Sequence, residues 1–281
     1  MFHSIHGSAA RYDPKVYAGL ACTLLAVLVI ACFAGTGALR AAGEKLPKGE
    51  KICDRYIEVT GGVKAYDKIN NRVSKSTIDI PSQGMKLSMA IYAARPNRLY
   101  SIIESDVIGK MEKGISGDVV WEKSIMTGPV IKEGSERTQA LQDATFDRLV
   151  HWRKIYKEAE CVGVDTIAGR PCYKVVMTPK EGSPSTFYYE KESHLLAKVE
   201  SVVESAAGRI PTESFLSDYR EVDGIMIAHK ITMHVMGQER VITVQSIENN
   251  VEMPQDRFML PEDIKALVDK KKSEEAGVKE Q

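Results

Sequence analysis

The chain has 281 residues, and 38 basic side chains balance 38 acidic ones, so its formal net charge is zero. With 43% hydrophobic and 27% charged residues it has the composition of a folded protein, not a disordered one. Zero net charge lacks the cationic surplus that a nucleic-acid binder needs, and 7% aromatics is sparse for base stacking, so no nucleic-acid partner is expected.

The first element in chain order is apolar. No charged residue occurs between Val16 and Leu39, and Lys15 and Arg40 bracket the run. It is about 24 residues long, enough to span a bilayer as a helix, so residues 1–40 read as a signal or transmembrane segment with a short cytoplasmic lead. An uncleaved signal anchor fits this length best, with Arg11 and Lys15 held in the cytoplasm. A cleaved signal peptide normally has a shorter apolar core of about 7–15 residues. Cleavage sites are nevertheless offered by Ala38, with Thr36 at minus three, and by Ala41. A lipoprotein reading rests on Val29-Ile30-Ala31-Cys32, a permissive lipobox in which Cys32 would carry the lipid. Apolar residues continue beyond it to Leu39, where lipoproteins usually turn polar. All three readings put the rest of the chain in the cell envelope, outside the cytoplasm. The domain is then periplasmic, tethered to the inner membrane by residues 16–39 or released if that segment is cleaved.

A polar linker, residues 41–51, precedes a short helix predicted over Ile52–Val59 and ended by Gly61-Gly62. A brief turn is expected over Val63–Ile69. From Val73 onward the apolar period becomes two. Met85, Leu87, Met89 and Ile91 alternate with polar or small residues, and so do Leu195, Ala197, Val199, Ser201 and Val203. Ile225, Ile227, His229, Ile231, Met233 and Val235 form another such face. This is the pattern of strands with one buried face. Turn signals recur about every ten residues, among them Ser82-Gln83-Gly84, Arg95-Pro96-Asn97, Ala168-Gly169-Arg170 and Val222-Asp223-Gly224. Local turns at that spacing imply an antiparallel meander. About eleven strands are expected, too many for a flat twisted sheet, so the sheet should curl.

One helix interrupts the meander, predicted from Ser135 to Ala159 with Leu141, Leu149, Trp152 and Tyr156 on one stripe. A last short helix is expected over Glu262–Val268, followed by a charged, disordered tail, residues 269–281. The fold class is therefore mainly β (α+β by count): a curled, unclosed antiparallel β-barrel with helices covering the open face, over residues 52–268. Such a sheet and its helices can enclose an apolar cavity instead of a solid core.

Catalytic motifs are missing from the sequence. His229 and His234 are five apart in a strand and so face opposite ways. There is no His-Glu-x-x-His, no Gly-x-Ser-x-Gly, no P-loop and no Cys-x-x-Cys. No enzyme activity, cofactor or metal is expected. Of five cysteines, Cys22 and Cys32 lie in the apolar run, leaving Cys53, Cys161 and Cys172. A hairpin centred on Ala168-Gly169-Arg170 sets Cys161 opposite a residue near Met177, so no bridge to Cys172 is predicted. Trp121 and Trp152, with Phe146 and Leu149, either border a lipid-binding cavity or are plain core packing. Met89 and Met233 fall on inward faces by alternation, where flexible side chains suit an adaptable apolar cavity and equally fill cores.

The segment Ser217-Asp218-Tyr219-Arg220-Glu221-Val222-Asp223-Gly224-Ile225, with the strand to Val235, resembles a recurring element of the LolA/LolB-like lipoprotein-carrier superfamily. So do Gly163–Gly169 leading into Cys172-Tyr173-Lys174-Val175-Val176, and the closing Phe258-Met259-Leu260-Pro261-Glu262-Asp263. Trp121-Glu122 with Met126-Thr127-Gly128-Pro129 looks like a loop of its outer-membrane-lipoprotein-sorting members. The resemblance spans about Lys51 to Val268. It implies an unclosed barrel with a helical lid and a ligand that is lipid or an acylated lipoprotein. Some relatives instead sense envelope stress through an inner-membrane protein partner. Ala228 stands where the element often has Pro, and an uncleaved amino-terminal run would not suit a shuttling carrier. Two functions are therefore expected: a non-catalytic carrier of lipid or lipoprotein acyl chains, taking part in outer-membrane lipoprotein sorting, or a membrane-tethered sensor or protein-interaction domain of the same fold.

Overall fold

The structure is a computed structural model that describes residues 45–205 and 208–279. The apolar run and Cys32 lie outside the described residues. From Lys45 onward the chain forms one compact unit.

The first helix, α1 (Gly49–Val59), buries Ile52, Cys53, Tyr56 and Ile57, a stripe at helical spacing. It begins inside the segment expected to be linker, because Gly49 packs on β-sheet backbone: a Cβ there would lie 2.3 Å from the Ala159 carbonyl oxygen. Thr60 ends the helix by donating its hydroxyl to the Tyr56 carbonyl at 2.8 Å. Gly61 follows at φ 127°, where an added Cβ would meet the Gly224 carbonyl oxygen at 2.3 Å. Only glycine permits both that backbone angle and that approach. A single turn, α2 (Val63–Tyr66), leads into the sheet.

Thirteen strands form one sheet, where about eleven were expected. Six run as a meander: β1 (Asn71–Ile80), β2 (Met85–Ala94), β3 (Arg98–Ser105), β4 (Gly109–Ser116), β5 (Val119–Ser124) and β6 (Gly128–Lys132). Seven more form a second meander: β7 (Tyr156–Ile167), β8 (Arg170–Pro179), β9 (Ser185–Glu190), β10 (Leu196–Ser205), β11 (Gly208–Val222), β12 (Ile225–Val235) and β13 (Gln238–Asn249). The two join where β1 pairs with β13, Ile78 opposite Ile242, leaving β6 and β7 as unpaired edges.

The helix predicted over Ser135–Ala159 is broken. The chain makes α3 (Gly134–Asp143), a run of turns, a single-turn α4 (Trp152–Ile155), and is already strand at Tyr156. Asp147 sits in the left-handed conformation, φ 51°. Arg72 and Arg95 hold its carboxylate at 3.4 and 3.2 Å, and the Phe146 amide donates to the Pro96 carbonyl at 3.1 Å. These long-range contacts override the local helical pattern. At the carboxyl end the structure departs in the other direction: α5 (Glu262–Lys279) runs on through most of the segment expected to be a disordered tail.

The curl of the sheet follows from α3. It touches both β5 and β10, which are eight positions apart in the strand order. A flat sheet would separate them by about 38 Å at ~4.8 Å per strand, whereas a ten-residue helix is roughly 15 Å long. Only a strongly curled sheet brings both within reach, so α3 lies across the concave side. Val120 packs with Ala140 and Leu141 of α3, while its neighbour Trp121 packs with Ile264 of α5. Successive strand residues point to opposite faces. The C-terminal helix therefore covers the convex side.

Cys53, Cys161 and Cys172 are free thiols. Cys161 stands opposite Val175, two residues from the partner expected: the hairpin turns on Ala168-Gly169 alone, with Ile167 opposite Arg170, and the β7–β8 register shifts by one more residue at Cys161–Gly163.

Candidate ligand cavity

The concave face is filled at one end and open at the other. At the filled end α1 and α4 press Tyr56, Trp152 and Ile155 against Val175, Phe187 and Tyr189, a continuous buried core. Further along the same face the strands carry small or hydroxylated side chains: Ser201 on β10 and Thr212 and Ser214 on β11. Too little volume projects there to reach α3, and a cavity of about 540 Å³ remains. That lies within the usual range for small-molecule pockets, about 300–1,000 Å³.

The floor is mostly apolar. Phe187, Val199, Leu216, Ile231, Met233 and Ile242 come from five adjacent strands. Their register places them on one face: Val199 opposite Ser214, Ser214 opposite Met233, Leu216 opposite Ile231, and Ile231 opposite Ile242. The Ser201 and Thr212 hydroxyls satisfy each other at 2.9 Å, so the floor presents little unmet polarity.

The roof is unlike the floor. No residue of α3 is fully buried, and polar contacts tie it down. Gln139 donates its Nε2–H to the Val202 carbonyl at 2.7 Å and accepts the Glu204 amide on Oε1 at 2.8 Å. β9 pairs with β10 only as far as Glu200, while β10 continues to Ser205. The Gln139 amide therefore takes the place of the missing strand partner. Gln142 adds a bond from Nε2 to the Glu181 carbonyl at 2.9 Å.

The residues singled out in the sequence scatter. Leu149 and Met233 line the cavity. Phe146 lies beside it, lining with Leu149 an adjoining pocket of about 370 Å³, its ring under the guanidinium groups of Arg72 and Arg95. Met89 is on the concave face in a separate cluster with Ile78 and Leu87, which reaches the cavity only through Ile242. Trp152 is sealed in the core. Trp121 faces the convex side, packed on Tyr100 and under Ile264, because it alternates with Val120. Neither tryptophan is among the residues that line the cavity. Of the residues that make the cavity, Thr212 and Ser214 carry no signal of their own in the sequence, and Ser201 shows only as one position on an alternating strand face. Strand alternation did place Val199, Ser201 and Val203 on one face. It wrongly added Ala197, since a register shift at Leu196–Lys198 turns Ala197 to the convex cluster with Tyr188. Among the described residues no three His, Cys, Asp or Glu side chains converge as metal ligands.

Trp152 does have a structural partner. Its Nε1–H donates to Asp54 Oδ1 at 3.4 Å, and Arg153 grips both oxygens of the same carboxylate at 2.7 and 2.8 Å while stacking over the indole. The Arg153 hydrogen bonds hold the Asp54 carboxyl below its ordinary value. Its contribution to stability is therefore present above the unfolded pKa near 3.8 and is lost as pH falls through the lower folded one. The pair is half-exposed, so Asp54→Asn should cost only about 0.5–1 kcal/mol at neutral pH. Urea titrations from pH 7 downward should show that deficit shrinking as the pH falls below the ordinary carboxylate value; a deficit constant across the series would separate it from the ion pair.

No protein-family model and no curated protein matches this sequence. Solved structures do resemble the fold. A DUF1329 family protein from Desulfovibrio piger aligns at TM-score 0.53 and 16% identity, over 76% of this chain and 98% of its own. A LolA superfamily protein from Nitrosomonas europaea aligns at 0.52 and 14%, over 76% and 99%. A domain described as an outer membrane lipoprotein-sorting protein, from Vibrio parahaemolyticus, aligns at 0.52 and 10%, over 74% and 97%. At such identities the likeness is one of architecture, and the architecture is LolA-like: a curled, unclosed antiparallel sheet with a helix across its hollow side.

Proposed function

We propose that this chain is a non-catalytic cell-envelope protein that binds the acyl chains of a lipid or an acylated lipoprotein in the concave cavity. The observation that carries the reading is the contrast within one face of the sheet: aromatic side chains fill it at one end, and at the other a space is left between an apolar floor and α3. Apolar burial would drive binding, on the order of 0.8 kcal/mol per methylene. The polar clasps of Gln139 and Gln142 suit a roof that must part from the floor, since the apolar contacts of α3, through Ala140 and Leu141, are with Val120 on β5 and not with the floor. Residues 16–39 would supply a signal or an anchor, and residues 1–40 and 41–48 would stand outside the binding domain. No helix among the described residues is long and apolar enough to cross a membrane. A role in outer-membrane lipoprotein sorting is the specific form of this reading.

The test is native mass spectrometry of the chain secreted to a bacterial periplasm and purified without detergent. Stoichiometric lipid or acyl adducts are expected. A mass with no adduct, unchanged after incubation with fatty acid, would reject the carrier and favour the alternative, a tethered sensor or interaction domain bound to an inner-membrane partner.

A further inference from the structure

The helix α3 has a second groove on its other side. Thr138, Gln142 and Glu181 line both this groove and the apolar cavity, so the two spaces are divided by little more than one turn of helix. The groove has a volume of about 560 Å³ and a different chemistry. Arg95, Arg137, His151, Lys154 and Lys180 line it, against the single carboxylate of Glu181. Three of the basic groups already have acidic partners: Arg95 bonds Asp147 at 3.2 Å, Arg137 lies 3.5 Å from Asp118, and His151 lies 3.9 Å from Asp67. Lys154 and Lys180 are exposed, and no ion pair or side-chain hydrogen bond engages either of them. The Lys180 amide donates to the Ile155 carbonyl at 2.9 Å, which fixes the backbone of one lysine beside that of the other.

We propose that this groove receives the phosphate-bearing headgroup of an acyl amphiphile whose chains lie in the cavity across Thr138 and Gln142. The proposal rests on the cavity being an acyl site and names the ligand class that site would take. Two unneutralised ammonium groups on a fixed backbone, next to a largely apolar chamber, match an anionic head joined to a greasy tail. A phosphate ester accepts hydrogen bonds from both lysines at once, which a neutral diacylglycerol cannot do.

Calorimetric titration of the full chain and of the double variant Lys154→Gln/Lys180→Gln tests this with three probes below their micelle concentrations. The probes are dioctanoyl phosphatidylglycerol, dioctanoylglycerol and glycerol 3-phosphate. The parent chain should bind the phosphatidylglycerol roughly tenfold more tightly than the dioctanoylglycerol, with the ratio shrinking at high salt. The double variant should lose that preference and keep its affinity for dioctanoylglycerol. Equal affinities in the parent, or a preference that survives in the variant, would overturn the headgroup site and leave the acyl cavity standing. Glycerol 3-phosphate binding as tightly as the amphiphile would overturn it in favour of a soluble phosphate ligand. If the parent bound neither amphiphile, the carrier reading would fail and this site with it.

Discussion

Asp147→Ala should lower the stability of the domain by about 3 kcal/mol, near the low end for breaking a buried ion pair from one side. The carboxylate is 2% exposed and faces two guanidinium groups. Arg95 has other acceptors, donating to the Ile69 carbonyl at 2.7 Å and the Tyr66 carbonyl at 2.8 Å. Arg72 is worse placed: its Nε–H reaches Asn249 at 2.9 Å, but one terminal nitrogen is buried with no partner. Removing Asp147 leaves that cation without its counter-charge, and alanine adds the cost of φ 51°. Both arginine side chains keep about a quarter of their exposure, so water recovers part of the loss.

Neutralising the carboxyl in place should be milder. Burial raises its pKa above the ordinary carboxylate value despite both arginines, so the ion pairs do not offset the whole cost of burying the charge. Asp147→Asn keeps an acceptor oxygen and tolerates the left-handed backbone, and should cost less than half as much as alanine. Urea unfolding midpoints of the two variants, with Asp147→Gly as a control for backbone strain, decide it. If glycine restores full stability, the ion pairs contribute nothing and the strain was the whole effect.

How much of this was legible in the sequence depends on how each feature is made. Turns built on glycine were readable: Asp223-Gly224 links β11 to β12 with both residues at positive φ, the two-residue hairpin that such a dipeptide signals. Turns closed by a serine hydroxyl were not. Ser105 Oγ accepts the amides of Val107 and Ile108, at 3.3 and 3.2 Å, between β3 and β4. Ser124 does the same for Thr127 at 3.1 Å between β5 and β6. Neither has Gly or Pro at its apex; the glycines, Gly109 and Gly128 at positive φ, come only where the next strand begins, which is why about eleven strands were read where thirteen form. The broken helix has a different cause. Its periodic stripe is real, but Arg72 comes from β1 and Arg95 from the β2–β3 turn, both far away in sequence, and no local window contains them.

The candidate site was harder still. Large aromatic residues draw attention, and at the filled end of the concave face they do what large residues do: they pack. A cavity is made where side chains are small, so its residues are the least conspicuous in the strand. The alternation on β10 and β12 was sufficient to put Ser201 and Met233 on the concave face, yet nothing in it said that the space above them was empty. That depended on where α3 rests, which Gln139 decides by bonding to the unpaired edge of β10.

Ser214→Trp should abolish acyl binding while leaving the fold intact. Ser214 is at the middle of the floor, opposite Val199 on one side and Met233 on the other, and no hydrogen bond engages its hydroxyl. An indole at that position projects into the cavity. Excluding even three methylenes of a bound chain costs about 2.4 kcal/mol, roughly fiftyfold in affinity. Stability should change by less than about 1 kcal/mol, because the new side chain enters open space and not a packed core. The same substitution supplies a reporter that neither natural tryptophan offers, since Trp121 and Trp152 lie outside the cavity. Titration with fatty acid, followed by tryptophan emission in the parent chain and by calorimetry in both, should show heat without an emission change in the parent and no heat in Ser214→Trp. Undiminished binding in the variant would place the acyl site elsewhere in the molecule. A blue-shifted, unquenched indole in the ligand-free variant would establish that the chamber above β11 is open enough to hold a ring of that size.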